Sequence, residues 1–147
     1  MSQENVEVVR RVTERYGELA PLDTPQFVDQ FWDPEGDYYP VRKFPEARPC
    51  HGREDIARFF AEYLDTWDRW EYSIQRLIAV GDDRVLVHAT VDAEGRESGM
   101  KLDADLYFCV WLRQGRVFRW EDHLTLPGAL RALGLSGETL EAAGLSE

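Results

Sequence analysis

From Trp70 to residue 124 the hydrophobic period of the chain is two. Trp70, Tyr72, Ile74, Arg76, Ile78 and Val80 alternate with Glu71, Ser73, Gln75 and Leu77. Gly81-Asp82-Asp83 then forms a turn, and Val85, Val87, Ala89 and Val91 make one face of the next strand. A second turn at Ala93-Glu94-Gly95-Arg96 leads into a long strand over residues 98–113, and Gln114-Gly115 turns into a last strand over 116–124. Side chains alternate across a strand, so this period predicts extended chain. Connections this short join antiparallel neighbours and exclude parallel crossovers. Four consecutive strands in a meander are the feature to which the rest of the chain must adapt.

The part before residue 70 has helical spacing. Over residues 3–20, Val9, Val12, Tyr16 and Leu19 recur at three and four, with Glu4 and Glu7 in the first turn, where the helix dipole favours negative charge. Pro21 ends that pattern. Thr24 reads as an N-cap with Pro25 at the first helical position. Phe27, Val28, Phe31 and Trp32 form the apolar face of this second helix, which Asp33-Pro34-Glu35-Gly36 stops. Residues 37–41 read as a first strand, 42–51 as a loop with Pro45 and Pro49, and 53–68 as a third helix with Ile56, Phe59, Phe60, Tyr63 and Trp67 on its apolar face. Leu130, Leu133, Leu135 and Leu140 suggest one or two short terminal helices after Pro127-Gly128. Helices segregated before an antiparallel sheet indicate an α+β fold in one domain over 1–147, with 1–135 as its core and 136–147 as a tail.

Charge and cysteine usage narrow the function classes. Lys and Arg number 17 against 28 Asp and Glu, a net charge of −11. Such a surface repels phosphate backbones and anionic lipids, so neither nucleic acid nor a membrane is expected as partner. No stretch reaches the ~20 apolar residues of a membrane span. The first residues are polar and acidic and do not read as a secretory leader. Two cysteines, Cys50 and Cys109, make no disulfide framework, and a reducing, cytoplasmic compartment is the simplest expectation.

Several segments resemble the SnoaL-like family, in order along residues 1–135. They are the opening Ser2-Gln3-Glu4-Asn5-Val6-Glu7, Phe31-Trp32-Asp33-Pro34-Glu35, His51-Gly52-Arg53-Glu54-Asp55-Ile56, Gly81-Asp82-Asp83-Arg84-Val85, Leu112-Arg113-Gln114-Gly115-Arg116-Val117, and Ala129-Leu130-Arg131-Ala132-Leu133. That family belongs to the nuclear transport factor 2-like, or ketosteroid isomerase-like, superfamily. The resemblance implies a cone: a curved antiparallel or mixed sheet wrapped by N-terminal helices around a single pocket, often as a homodimer through the sheet. It implies no single activity, because that superfamily holds isomerases, cyclases, hydrolases and non-catalytic binding domains.

Within that frame, Trp120-Glu121-Asp122 resembles the Trp-Arg-Asp stretch near the end of limonene epoxide hydrolases, where the Asp takes part in acid–base activation. Phe118, Trp120 and Asp122 would share one face of the last strand. A carboxylate walled by aromatics would have a raised pKa, as a general acid or base needs. The Arg-x-Asp partner of those hydrolases is missing from Val87-His88-Ala89-Thr90-Val91. Asp122 is then either a pocket acid or a strand-end residue paired locally, for example with Arg119. Tyr16 resembles the oxyanion tyrosine of ketosteroid isomerases, but Tyr39 falls where their base would stand.

His51, at the junction of loop and third helix, is either a base near physiological pH or a loop histidine bonded to backbone. His88 and His123 are expected to point away from the pocket. Asp103 and Asp105, two carboxylates that as a pair could act as acid and base, share a face with Tyr107, Cys109 and Trp111. The opposite face is wholly apolar and better suits the inside, so both acids are expected outside unless a β-bulge reverses the strand. No ligand spacing for a metal and no phosphate loop is present, so neither metal nor cofactor is expected. The aromatic residues Trp32, Tyr39, Phe59, Tyr63, Trp67, Phe108 and Trp120 are expected to line the pocket around a small hydrophobic ligand. Two functions remain open: a cofactor-independent acid–base enzyme using Asp122, Tyr16 and His51, or a ligand-binding domain without catalysis.

Overall fold

The computed structural model describes residues 2–18, 23–41, 47–97 and 99–145. Leu19, Pro21 and Pro45 lie outside them. Helix α1 spans Ser2–Gly17 and α2 spans Thr24–Phe31. Strand β1 (Trp32–Tyr39) and the two-residue β2 (Cys50–His51) precede helix α3 (Arg53–Thr66). Then come β3 (Trp67–Val80), β4 (Arg84–Gly95), β5 (Lys101–Arg113), β6 (Arg116–His123) and helix α4 (Leu126–Ala132). The meander is present as expected: β3 to β6 pair antiparallel with their neighbours. Strand β1 joins its far side, parallel to β6, and β2 pairs antiparallel with β1. The sheet order is β2-β1-β6-β5-β4-β3. This is the α+β fold with a curved, mixed sheet. No helix is long and apolar enough to cross a membrane.

Four main differences separate these boundaries from the sequence expectation. Asp23, one residue before Thr24, is the N-cap of α2, and Thr24 is buried as the first helical residue. Strand β1 begins at Trp32, directly after α2, and so includes the Asp33-Pro34-Glu35-Gly36 segment read as a helix stop. That segment distorts the strand without ending it. The β1–β6 register shifts between Trp32 and Asp37, Asp33 Oδ1 accepts the Glu35 N–H at 2.9 Å, and the parallel ladder resumes at Asp37. A Cβ at Gly36 would stand 3.0 Å from Cε3 of Trp32 and 3.1 Å from the Asp33 carbonyl, so the bend closes onto the indole only because residue 36 lacks a side chain. The third difference is β2, which lies in the segment read as loop. The fourth is α3, which stops at Thr66, so that Trp67, expected on its apolar face, opens β3.

The concave face carries the main core. Val85, Val87, Ala89, Val91 and Ala93 of β4 and Leu106, Phe108, Val110 and Leu112 of β5 point into it. The apolar faces of α1, α2 and α3 cover them through Val9, Val12, Phe27, Phe31, Ile56 and Phe60. A second cluster lies on the convex face. There Ala129, Leu130 and Leu133 pack on Ile78, Val80, Leu86 and Cys109, with Leu140 and Leu145 of the tail alongside. Ile78 and Val80 reach this face because Gln75 is an extra residue in β3: Ile74 pairs with Ala89, and Arg76 with the adjacent His88. The bulge reverses the side-chain alternation, so Trp70, Tyr72 and Ile74 face the concave core while Ile78 and Val80 face α4.

Leu130 has no exposed surface and centres the convex cluster. Leu130→Ala is expected to cost about 2–5 kcal/mol, the range for a leucine cavity, read as a lower urea midpoint at unchanged slope. A loss below ~1 kcal/mol would show that the tail and α4 contribute little to the fold.

Candidate active site

Asp122 lies near the end of β6, and a bulge decides where it points. Leu112 pairs with Val117 but Trp111 pairs with Arg119, which leaves Phe118 as the extra residue. Val117, Trp120 and Asp122 therefore face the concave side. This corrects the expectation that Phe118 joins them: Phe118 takes the Arg113 guanidinium over its ring at 5.3 Å. Arg119 and Glu121 go outward. Arg119 Nε donates to Glu121 Oε2 at 2.6 Å, and His123 Nε2 lies 3.1 Å from Glu121 Oε1. Arg119 is thus the partner of Glu121 and leaves Asp122 on the inside without a cation.

What Asp122 meets inside is neutral. The parallel register sets Tyr38 beside Trp120. The Tyr38 hydroxyl donates to Asp122 Oδ2 at 2.5 Å, and the Trp120 indole N–H donates to Oδ1 at 2.9 Å. One donor per oxygen is weak solvation for a carboxylate. Asp122 keeps some accessible surface, as a cavity-lining group does, yet protein surrounds it deeply enough that desolvation dominates. Its pKa is pushed up to about 7, and the bonds from Tyr38 and Trp120 offset only part of that rise. The same carboxylate charge, added to burial, holds the hydroxyls of Tyr16, Tyr38, Tyr63 and Tyr72 well above the ordinary phenol range. Around Asp122 stand four phenols that remain protonated donors at any pH near neutral.

These groups line a cavity of about 50 Å3. Of the expected lining residues, Tyr16, Trp32, Tyr63, Phe108 and Trp120 are there. Phe59 and Trp67 lie behind the wall: Phe59 stacks on Tyr63 at 5.7 Å, and Trp67 meets the Tyr63 and Trp70 rings edge-on or tilted at 5.9 and 5.4 Å. Both are buried core. Tyr39 is corrected to Tyr38. The ladder that resumes at Asp37 sets Tyr38 opposite Trp120, so Tyr38 faces inward with Trp32, six residues earlier, while Tyr39 lies outside under the Arg119 guanidinium, 4.6 Å from its ring. His51 is also outside. Its side chain is 66% exposed, its Nδ1 lies 2.8 Å from Asp37 Oδ1, and its backbone N–H donates to Asp55. The wall also includes Phe27, Phe60, Trp70 and Tyr72, which the sequence placed on inward helix or strand faces without assigning them to the pocket.

The expected outer residues are outer. His88 stacks on Tyr107 at 4.7 Å and its Nε2 lies 3.0 Å from Asp105 Oδ1, on the convex face. Among the described residues no group of three or more His, Cys, Asp or Glu could hold a metal ion.

The backbone of Trp32 is held by Arg53. Arg53 Nε and Nη2 both donate to the Trp32 carbonyl, at 2.8 and 2.5 Å. The indole N–H groups of Trp32 and Trp70 are buried without a hydrogen-bond acceptor.

Known structures share this architecture. A protein from a soil-derived mobile gene cassette, Bal32a, superposes with a TM-score of 0.70 at 21% identity, over 83% of this chain and 89% of that one. A candidate SnoaL-like polyketide cyclase from Jannaschia sp. CCS1 gives 0.68 at 17%, over 92% and 95%. A protein of ketosteroid isomerase-like fold from Catenulispora acidiphila, in complex with trimethylamine, gives 0.59 at 17%, over 77% and 84%. At these identities the likeness shows the fold alone. No curated protein matches the chain. The SnoaL-like domain profile matches residues 12–120, most of the sequence, and the chain belongs to the SnoaL-like family.

Proposed function

We propose that the chain is a cofactor-independent acid–base catalyst for a small hydrophobic or cyclic molecule held in the aromatic cavity. The observation that carries this reading is the Asp122 carboxyl: desolvated, faced by neutral donors only, and titrating at about 7. A carboxyl with that pKa is close to half ionised at neutral pH, and both accepts and returns a proton efficiently. Asp122 takes the proton from a substrate C–H or O–H. A protonated phenol in the wall, Tyr16 in first place, donates to the oxygen on which charge develops. Tyr38 and Trp120 hold the carboxyl in one orientation. Cyclisation, hydration and isomerisation all use such a pair, and the relation to cyclase- and isomerase-type folds supports this group of reactions. His51, exposed and paired with Asp37, has no part in it.

A binding-only domain is the rival reading. It is favoured by the absence of a second charged group among the described cavity residues. Two further expectations belong to the proposal. The convex face, with His88, Tyr107 and Trp111, serves as the contact of a homodimer. The free, buried thiols of Cys50 and Cys109 suit a reducing cytoplasm. A monomer by light scattering at micromolar concentration would remove the dimer.

Asp122→Asn keeps the shape and removes the titration. In a screen of small cyclic substrates it is expected to lose activity by about 100-fold or more while binding is retained. Equal turnover by the variant would reject the acid–base role, and binding without turnover in either protein would favour the rival.

Tyr38→Phe deletes a hydrogen bond that lowers the Asp122 pKa. The pH–activity midpoint is therefore expected to move above that of the wild type; a midpoint moving down would contradict the assignment.

Stability offers a third test. The Asp122 pKa is about 7 in the fold against an ordinary value of 3.8. Folding is therefore favoured when Asp122 is protonated, and that advantage disappears as pH rises through 7. The wild type is expected to lose about 4 kcal/mol at most from this group between pH 4 and 8, and Asp122→Asn to lack that component, as measured by urea unfolding across pH.

A further inference from the structure

Ten of the fourteen residues that line the cavity are Trp, Tyr or Phe, and Asp122 is the only charged one. No Arg, Lys or His lines it among the described residues. Asp122 takes its hydrogen bonds from a phenol and an indole, both neutral. When ionised it is a carboxylate in a low-dielectric wall with no countercharge, an arrangement several kcal/mol less favourable than a paired one. The π faces of aromatic rings attract cations and give an anion nothing, so a wall this rich in rings suits a positive ligand. At about 50 Å3 the space admits a group of a few heavy atoms. The net charge of −11 draws cations toward the protein as a whole.

We propose that the cavity takes a compact organic cation, a protonated tertiary amine or a quaternary ammonium group, either as the whole ligand or as the head of the substrate. This rests on the reading above that Asp122 is the working group of this cavity, and it names the substrate class. The cation supplies the countercharge that the fold withholds. It holds Asp122 in its basic form, and the ring faces close around the alkyl groups.

The inference has a signature in pH. A cation binds the ionised form of Asp122, so its affinity rises as pH passes through the Asp122 pKa. A neutral ligand of the same shape gains nothing from ionisation. Other titratable groups facing Asp122 do not confuse the measurement. Tyr16 on α1, Tyr38 on β1, Tyr63 on α3 and Tyr72 on β3 stay protonated, as does the Cys109 thiol, which lies on the opposite face of β5 but feels the Asp122 charge. Glu121 and His123 flank Asp122 on the strand but turn to the opposite face, against each other. His123→Gln serves as the control that removes the adjoining imidazole.

The test is a nuclear magnetic resonance titration that follows the tryptophan indole N–H signals at pH 6 and pH 8. Trimethylammonium, charged at both values, is compared with neutral tert-butanol. Trimethylammonium is expected to bind roughly tenfold tighter at pH 8 than at pH 6, following the ionised fraction of Asp122, in wild type and in His123→Gln alike. Binding of tert-butanol should stay level or weaken. Asp122→Asn should still bind tert-butanol, which shows that the cavity is intact, and lose the pH gain for trimethylammonium. Trimethylammonium binding no tighter than tert-butanol at pH 8, or weakening as pH rises, overturns the proposal. The two readings fail separately. Asp122-dependent turnover of a neutral substrate that trimethylammonium does not inhibit sinks the cation and leaves the acid–base role standing. Asp122-dependent trimethylammonium binding in a protein that turns over no substrate does the reverse.

Discussion

The parallel pairing of β1 with β6 is the constraint on which the rest of the structure depends. The meander alone would leave β6 as an edge strand, with Trp120 and Asp122 at the rim of the sheet. Pairing along that edge sets Tyr38 beside Trp120 and brings the phenol to the carboxyl. A parallel neighbour also needs a crossover, and α3 with β2 forms part of the long one between β1 and the meander. The crossover lays Phe59, Phe60 and Tyr63 over the concave face, so one pairing both orients the acid and closes the wall around it. The Arg53 bonds to the Trp32 carbonyl tie the helix of that crossover to the start of β1.

At Asp122 two effects of unequal size compete. Removal from water opposes the charge; the bonds from Tyr38 and Trp120 favour it. Desolvation wins, because the two donors are neutral and there is one for each oxygen. Asp33 shows the opposite balance in the same protein. It lies near the surface with the Arg113 guanidinium 2.9 Å from Oδ1 and the Glu35 N–H on the same carboxylate, and its pKa is held below the ordinary value. Residue type is the same at both positions; the presence of a cation and of water decides the sign.

The elements were legible in the sequence and the counting within them was not. Period two from Trp70 onward yields four strands with correct partners, and the inner face of β5 is as the apolar alternation requires. Resemblance along residues 1–135 points to the architecture that the sheet order then displays. Parity through an irregular strand is another matter. Each bulge adds one residue and reverses every assignment beyond it, and nothing in the residue types at Gln75 or Phe118 announces an extra residue. Asp33-Pro34-Glu35-Gly36 has turn composition, yet it is a distorted part of β1; a strand read as starting at Asp37 lacks Trp32 as its inward reference, and with it the parity that selects Tyr38 in place of Tyr39. Asp122 lies two residues from Trp120, beyond the bulge, where alternation is regular again, and of the two readings open in the sequence it takes the inward one. The reading of His51 as a base rests on residue chemistry alone, with no pattern to orient it, and the pairing of β2 with β1 turns it toward Asp37 and solvent.

The order of residues in β6 explains why the site has the charge that it has. Arg119, Glu121 and His123 form one alternating set and Val117, Trp120 and Asp122 the other, with Phe118 as the joint between them. The Arg119 guanidinium and the His123 imidazole both belong to the outward set and are engaged by Glu121. A slip of one residue would bring Arg119 and His123 inside, pair any acid there, and return its pKa to the ordinary carboxylate range or below. The bulge therefore does more than aim Asp122. By sorting Arg119 to the other face, it leaves inside a carboxyl with no countercharge, whose pKa burial pushes up to about 7.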